Sequence, residues 1–355
     1  MKKVILPIAV FAAITLSLNS CKKEDSTPSY DVPSTYDFDS VNYTGQTQRL
    51  AMITELVTEV KKANTIGTSV DAQLLKNMYT NTGSPFANAE LNAATSKQLK
   101  NKVFATKQAV LETVFDEIGT LSASGATASN GTAGIIDGIS RDLLVDANGI
   151  EYKERVEKTL QGALIYYQIV GHYLSEDQIG PHLALADRQH HWDEAFGYYG
   201  VPRDYTTTTT PTGLAHIGKY ANDRNALLGN ATAAVKAFIK GRAALNNKDE
   251  ATVTAQVAII RENIEKGVAG TAVHYINEAL ANVNDAGTFH HTMSEGYFLI
   301  KSLKYNPAKK ITDAQIAELE ILYGSNFYNA STTDLIAAKN LLSTIYGFES
   351  VKDVL

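Results

Sequence analysis

Apolar residues recur along most of this chain with the 3.6-residue period of helices that bury one face. Leu50, Ile53, Val57 and Val60 mark the first such helix, beginning near Gln46. A shorter one covers residues 70–79 and ends at a loop cluster, residues 81–85, that contains Gly83 and Pro85. Further periodic runs cover residues 106–121 and 151–174, the second with Val156, Leu160, Ala163, Leu164, Tyr167 and Gly171 on one stripe. Pro181 suits the first turn of a helix running to Tyr199, because that position needs no amide donor. No proline interrupts the chain between Pro211 and Pro307, which leaves that region open to long helices. Thr312 and Gln315 have capping-box spacing, and Gly324 fits the far end of the helix they start. Leu335, Ala338, Leu342 and Ile345 form a last amphipathic helix, stopped at Gly347.

Two stretches break the pattern. Residues 122–134 are rich in Gly, Ala, Ser and Thr and are expected to form a mobile loop; residues 200–213, with five consecutive threonines, form a second. Nowhere does an alternating strand pattern stand out. The expected fold is all-α, a helical domain over residues 46–355 made of two bundles, about 46–200 and 214–355.

An internal echo supports that division. Glu157, Lys158, Gly162 and Tyr167 have the spacing of Glu265, Lys266, Gly270 and Tyr275. Each set is followed by His-x-x-x-Glu, a small residue and an aromatic one: His190, Glu194, Ala195 and Phe196 in the first case, His291, Glu295, Gly296 and Tyr297 in the second. Two matches in the same order predict a duplicated helical hairpin.

The amino terminus carries an address. Lys2 and Lys3 precede an apolar run, residues 4–18, that is short for a membrane span, so residues 1–20 read as an export leader. Leu18-Asn19-Ser20-Cys21 resembles the lipobox of bacterial lipoproteins, whose cysteine is diacylated and becomes the new amino terminus. Cys21 is the only cysteine, so no intramolecular disulfide is available. Lys22-Lys23-Glu24-Asp25 resembles the signal that sends lipoproteins of some Gram-negative bacteria to the cell surface. Residues 21–45, rich in Ser, Thr, Asp, Tyr and Pro, read as a flexible tether. The expected location is the outer membrane, reached through the lipid anchor and facing the cell surface. The formal net charge of −6 becomes more negative once the leader lysines are removed, and this disfavours nucleic acid as a partner.

On a helix running through residues 187–198, Asp187, His190, His191, Glu194 and Tyr198 share one stripe, opposite Trp192 and Phe196. Imidazole and carboxylate groups three or four residues apart suit Fe or Zn. A solvated face of an amphipathic helix gives the same pattern. His291 and Glu295 share their stripe with Phe298 and lie beside Leu299, which places that pair inside the protein, where each needs a partner. His274 and Glu278 form a third pair of a kind that helix surfaces produce freely. The chain holds no Gly-x-Ser-x-Gly elbow, phosphate loop, dinucleotide fingerprint or His-Glu-x-x-His motif.

With these features the chain resembles the imelysins, and more closely an uncharacterised family of Bacteroidetes-type surface lipoproteins. The resemblance rests on Ser34-Thr35-Tyr36, Tyr43-Thr44-Gly45-Gln46-Thr47, Asn148-Gly149-Ile150-Glu151-Tyr152 and residues 189–200. It implies two helical bundles, a link to iron uptake, and a Gly-x-His-x-x-Glu metal motif that maps onto His191 and Glu194, with Gln189 in place of the glycine. The expected protein is a surface lipoprotein with a binding role in iron, haem or metal acquisition, beside an outer-membrane transporter. Its expected metal set is His191, Glu194, His190, Asp187, His291 and Glu295, with no catalytic residue. The alternatives are an accessory lipoprotein that captures a glycan or peptide without metal, and a metallopeptidase using the same His/Glu residues.

Overall fold

The computed structural model of the protein describes residue 1 and residues 29–355. Its first half contains α1 (Thr44–Lys61), α2 (Ala72–Thr80), α3 (Ala89–Ala93), α4 (Ala105–Ser124), α5 (Tyr152–Leu160), α6 (Glu176–Ile179) and α7 (Leu185–Tyr199). The second half contains α8 (His216–Leu228), α9 (Asn230–Asn246), α10 (Glu250–Ala281), α11 (Ala286–Ser302), α12 (Asp313–Tyr323) and α13 (Thr332–Tyr346). The fold is all-α, as the periodicity predicts. Local chemistry sets several of the ends. Asp71 caps α2 through the Gln73 amide, Asp249 caps α10 through the Thr252 amide, and Thr312 with Gln315 forms the expected capping box on α12. Gly347 takes the left-handed conformation that closes α13.

α10 is the axis of the molecule. It packs against α8, α9, α11 and α13, and buries Val253, Ile260, Ile264, Val268, Ala272 and Ile276 along its length. α7 lies against α9, with Trp192 fully buried and its indole N–H donating to the Phe238 carbonyl at 3.0 Å. Val32–Leu355 forms one compact unit, in which α11 of the second half packs directly on α5 of the first. The other unit, Met1–Asp31, falls almost wholly outside the described residues, and with it the leader, Cys21 and the charged signal after it. Among the described residues, no helix is long and apolar enough to cross a membrane.

Four expectations are corrected. Residues 151–174 do not form a uniform α-helix, because residues 161–166 and 168–173 are π-helical. There the single buried stripe gives way to burial on every side from Leu160 to Tyr166. Gly162 approaches α11 so closely that a Cβ would come within 2.4 Å of the Ser302 Cβ. Tertiary contacts rather than local propensity set that geometry, and π-turns of this kind cluster at functional sites.

A short antiparallel hairpin also exists, β1 (Gly134–Ile136) with β2 (Leu143–Val145), and the Thr127–Ile135 bridge draws part of the expected 122–134 loop onto it. Its three-residue strands are buried on both faces, so no alternation marked them. The expected tether is docked over its later part. Tyr36 is fully buried, stacks on Phe196 at 3.7 Å between ring centroids and donates its hydroxyl to Asp193 at 2.5 Å. Pro181 lies in the turn before α7 and not in its first turn. Both segments of the internal echo are helical hairpins, but the first is π-helical and broken by α6 while the second runs unbroken through α10. The duplication rests on the sequence alone.

The α7–α9 contact supplies a stability prediction. A Cβ at Gly241 would lie 2.2 Å from the Trp192 ring. Alanine is the better helix former by about 1 kcal/mol, but forcing the rigid indole aside costs about 1–3 kcal/mol. Gly241→Ala is therefore expected to lower the denaturation midpoint; a midpoint at or above wild type would overturn this packing account.

Candidate metal centre

The chemistry collects where α5 faces α11. Asn148 and Gly149 turn the chain into α5, with Gly149 at φ +78°. A Cβ there would strike the His290 ring at 2.3 Å, and that ring donates from Nδ1 to the Gly149 carbonyl at 2.7 Å. Asp146 holds the turn by accepting from the Asn148 and Ile150 amides at 2.8 and 3.0 Å. Glu151 then occupies the N-cap position of α5, yet its side chain caps nothing. A cap is worth about 1 kcal/mol, so its diversion needs another use. The Glu151 amide donates to Ser294 Oγ of α11 at 2.9 Å, Asn64 donates to Oε1 at 2.8 Å, and His291 Nδ1 donates to Oε2 at 2.7 Å.

One turn along α5, Glu154 is fully buried, its Oε1 3.4 Å from the same His291 nitrogen. His291 Nε2 lies 3.3 Å from Glu295 Oε2. Donor atoms of Glu151, Glu154 and His291 all fall within 4.8 Å of one another, the only such group of metal-binding side chains among the described residues. Lysines balance part of the charge. Lys158, 1% exposed, reaches Glu154 at 3.0 Å and Glu295 at 2.8 Å, and donates to the Tyr220 hydroxyl at 2.6 Å. Lys153 pairs with Glu154 and, at 2.5 Å, with Glu157. Four carboxylates against two ammonium groups leave two negative charges when His291 is neutral and one when it is protonated.

Burial opposes charge on His291, but the Glu151 hydrogen bond and the charges of Glu154, Glu151 and Glu295 overcome it and hold its pKa above the usual value. For Glu157, burial is likewise overcome by Lys158 and Lys153, which hold it at about 2. Burial alone would discharge Lys158, yet Glu154, Glu157 and Glu295 keep it charged. The cluster is open on one side. Glu151, Lys153 and His291 line a pocket of about 530 Å³ whose walls include Asn64, Lys61 and Arg141.

The six residues named from the sequence fall into two groups that share no partner. His291 and Glu295 belong to this centre. The other four lie on α7. Asp187 and His190 are exposed, with His190 Nε2 3.8 Å from Glu194 Oε2. Glu194 accepts from Gln46 at 2.5 Å and from the Tyr173 hydroxyl at 3.1 Å, while His191 Nδ1 donates to the Gln178 carbonyl at 2.6 Å. The α7 polar stripe is thus tied into α1, α6 and the π-helix, and among the described residues it holds no three donor atoms within 4.8 Å of one another.

Neither Glu151, which falls in one of the segments that carry the resemblance, nor Glu154 is among the metal ligands expected from the sequence. Their signal is the spacing Glu151-x-x-Glu154-x-x-Glu157 at a helix start, interleaved with Lys153 and Lys158. Nothing local joins that run to His291, 140 residues away from Glu151.

A protein-family model described as a domain of unknown function, DUF4856, matches residues 33–323, a span that includes α5 and α11. No curated protein and no solved structure matches the chain.

Two predictions concern the ligand-free protein. His291, with its raised pKa, contributes stability that is fully present below about pH 6.5 and lost as pH rises through its folded value. Glu157, with its lowered pKa, contributes stability that is lost as pH falls from its usual range toward about 2. Denaturation midpoints against pH should peak between these limbs, and His291→Gln should flatten the alkaline one. Lys158→Met leaves Glu154 and Glu295 buried without their shared counter-ion and should destabilise by about 3–5 kcal/mol, measured by chemical denaturation.

Proposed function

The chain belongs to the DUF4856 family of unknown function, and from its buried carboxylate–histidine centre we propose a metal-binding lipoprotein that serves iron, haem or other metal acquisition at the bacterial cell surface. The observation that carries this reading is the convergence of Glu151, Glu154 and His291 donor atoms within 4.8 Å, with Glu151 and His291 lining a pocket. One imidazole nitrogen with carboxylate oxygens suits Fe and Zn. Glu295 lies 3.3 Å from His291 Nε2, the ring nitrogen turned away from Glu151 and Glu154, and would orient the imidazole while the three converging groups hold the ion. The charge fits as well, since a divalent ion replacing the His291 proton cancels the two surplus negative charges.

The cell-surface part rests on the lipobox ending at Cys21 and on Lys22-Lys23-Glu24-Asp25. An outer-membrane transporter is the partner such an anchored binder would serve. The imelysin likeness supports the same role through the all-α body and its helix-borne His/Glu pairs. In this reading the metal lies between α5 and α11, and His190, His191, Asp187 and Glu194 on α7 are not its ligands. Capture of a small polar ligand without metal is the second reading, favoured by Lys153 and Lys158, which already neutralise half the carboxylates.

The test is a titration of residues 29–355, which hold the whole compact unit, with Fe(II) and Zn(II). Stoichiometric uptake is expected, abolished by Glu151→Gln with His291→Ala and unchanged by His191→Ala with Glu194→Ala, each variant being checked for helicity. Absence of uptake above background removes the metal reading in favour of the second. Loss of uptake in the α7 variant alone would move the site to α7.

A further inference from the structure

A second feature lies beside the centre and has the opposite sign. Two adjoining pockets, of about 30 and about 240 Å³, share Lys107, Thr159, Phe298 and Lys301 in their walls. Lys304 lines the smaller and Arg155 the larger. No carboxylate lines the smaller pocket, and Asp146 is the one that lines the larger. This convergence of cations occurs on a chain whose net charge is −6.

The nearby acids are already engaged. Glu320 pairs with Lys301 at 3.0 Å, Glu117 with Arg155 at 3.4 Å, and Asp146 accepts two backbone amides of its own turn. Lys158, which also lines the smaller pocket, is committed to Glu154 and Glu295. Two ammonium groups are left over. Among the described residues, Lys107 has no ion-pair or hydrogen-bond partner for its side chain, and Lys304 has only the Tyr305 ring, 5.4 Å away. Burial first, then the charges of Lys304, Lys301 and Arg155, lower the pKa of Lys107, opposed only by Glu320, which is itself paired with Lys301. Such an arrangement costs folding free energy that a bound anion returns, and unrelieved local conflicts of this kind mark functional sites.

We propose that this recess binds a phosphate group, with the ammonium groups of Lys107, Lys301 and Lys304 and the Thr159 hydroxyl as its donors. A phosphate monoester carries about −1.5 to −2 at neutral pH, which matches the two unpaired lysines. Lysine suits phosphate as a point charge, without the fixed fork that a planar carboxylate favours. The half-buried Phe298 and the larger pocket leave room for whatever carries the phosphate, either a small soluble molecule or a lipid headgroup.

The probe is inorganic phosphate, added to residues 29–355 at an ionic strength matched with chloride. It should raise the melting temperature and bind saturably. Lys107→Met with Lys304→Met should weaken that binding about tenfold or more, the worth of one hydrogen bond to a charged group. Without phosphate the double variant should melt at or above wild type, because a repulsion is removed, and that result separates lost binding from misfolding. Vesicles of phosphatidylcholine with and without phosphatidate identify the source. Recruitment that free phosphate competes away assigns a lipid headgroup, and phosphate binding without recruitment assigns a soluble ligand. A phosphate effect no larger than that of chloride, an equal effect on the double variant, or vesicle binding that phosphate does not compete would overturn the proposal.

Discussion

Burying Glu151, Glu154 and Glu295 between α5 and α11 is the constraint that shapes the middle of this protein. Carboxylates in a low-dielectric interior need counter-charge and hydrogen-bond donors, or folding fails. Lys158 meets the largest part of that need, touching Glu154, Glu295 and the Tyr220 hydroxyl, and so ties α5 to α11 and to α8. The turn before α5 follows from the same need. Gly149 lets the His290 ring approach, Ser294 accepts the Glu151 amide, and Asn64 joins Glu151 to the Leu144 amide of the hairpin. The hairpin, too small to stand alone, is held in place by these ties.

A second polar knot on α7 makes a useful contrast. Asp193 is buried, pairs with Arg242 of α9 at 2.9 Å and accepts from Tyr36 at 2.5 Å. Burial raises its pKa while Arg242 and Tyr36 pull it down. One carboxylate meets one guanidinium, the charges cancel, and both side chains are only 2% exposed. Its work is to fasten the amino-terminal segment and α9 to α7. The α5–α11 cluster differs on each of these points: its charge is unbalanced, its ring nitrogens face three carboxylates, and it is open to a pocket. The same chemistry is neutral and enclosed in one place, and charged and open to a pocket in the other.

The helices were legible because each depends on neighbours three or four residues away. The Leu50–Val60 periodicity, the Thr312/Gln315 box and the Gly347 stop all report local geometry, and all appear in the structure. The hairpin was not legible, since three fully buried residues per strand carry no alternation. Nor was the π-helix, whose widened turns answer to α11 and α7 pressing on both sides of residues 161–173. Half of the centre was visible as the His291–Glu295 pair, and the half on α5 was hidden among ordinary helix-surface charges.

The sequence alone determined the all-α class, the approximate helix limits and the inward placement of Glu295 and His291, because amphipathic period and capping act over one or two turns. Only the tertiary structure decided which charges meet. Glu151 and His291 are 140 residues apart, and no pattern on either helix specifies the other's register. That register is set by the shape of the apolar core and by the electrostatic cost of leaving any buried carboxylate alone. Both are properties of the whole packed chain.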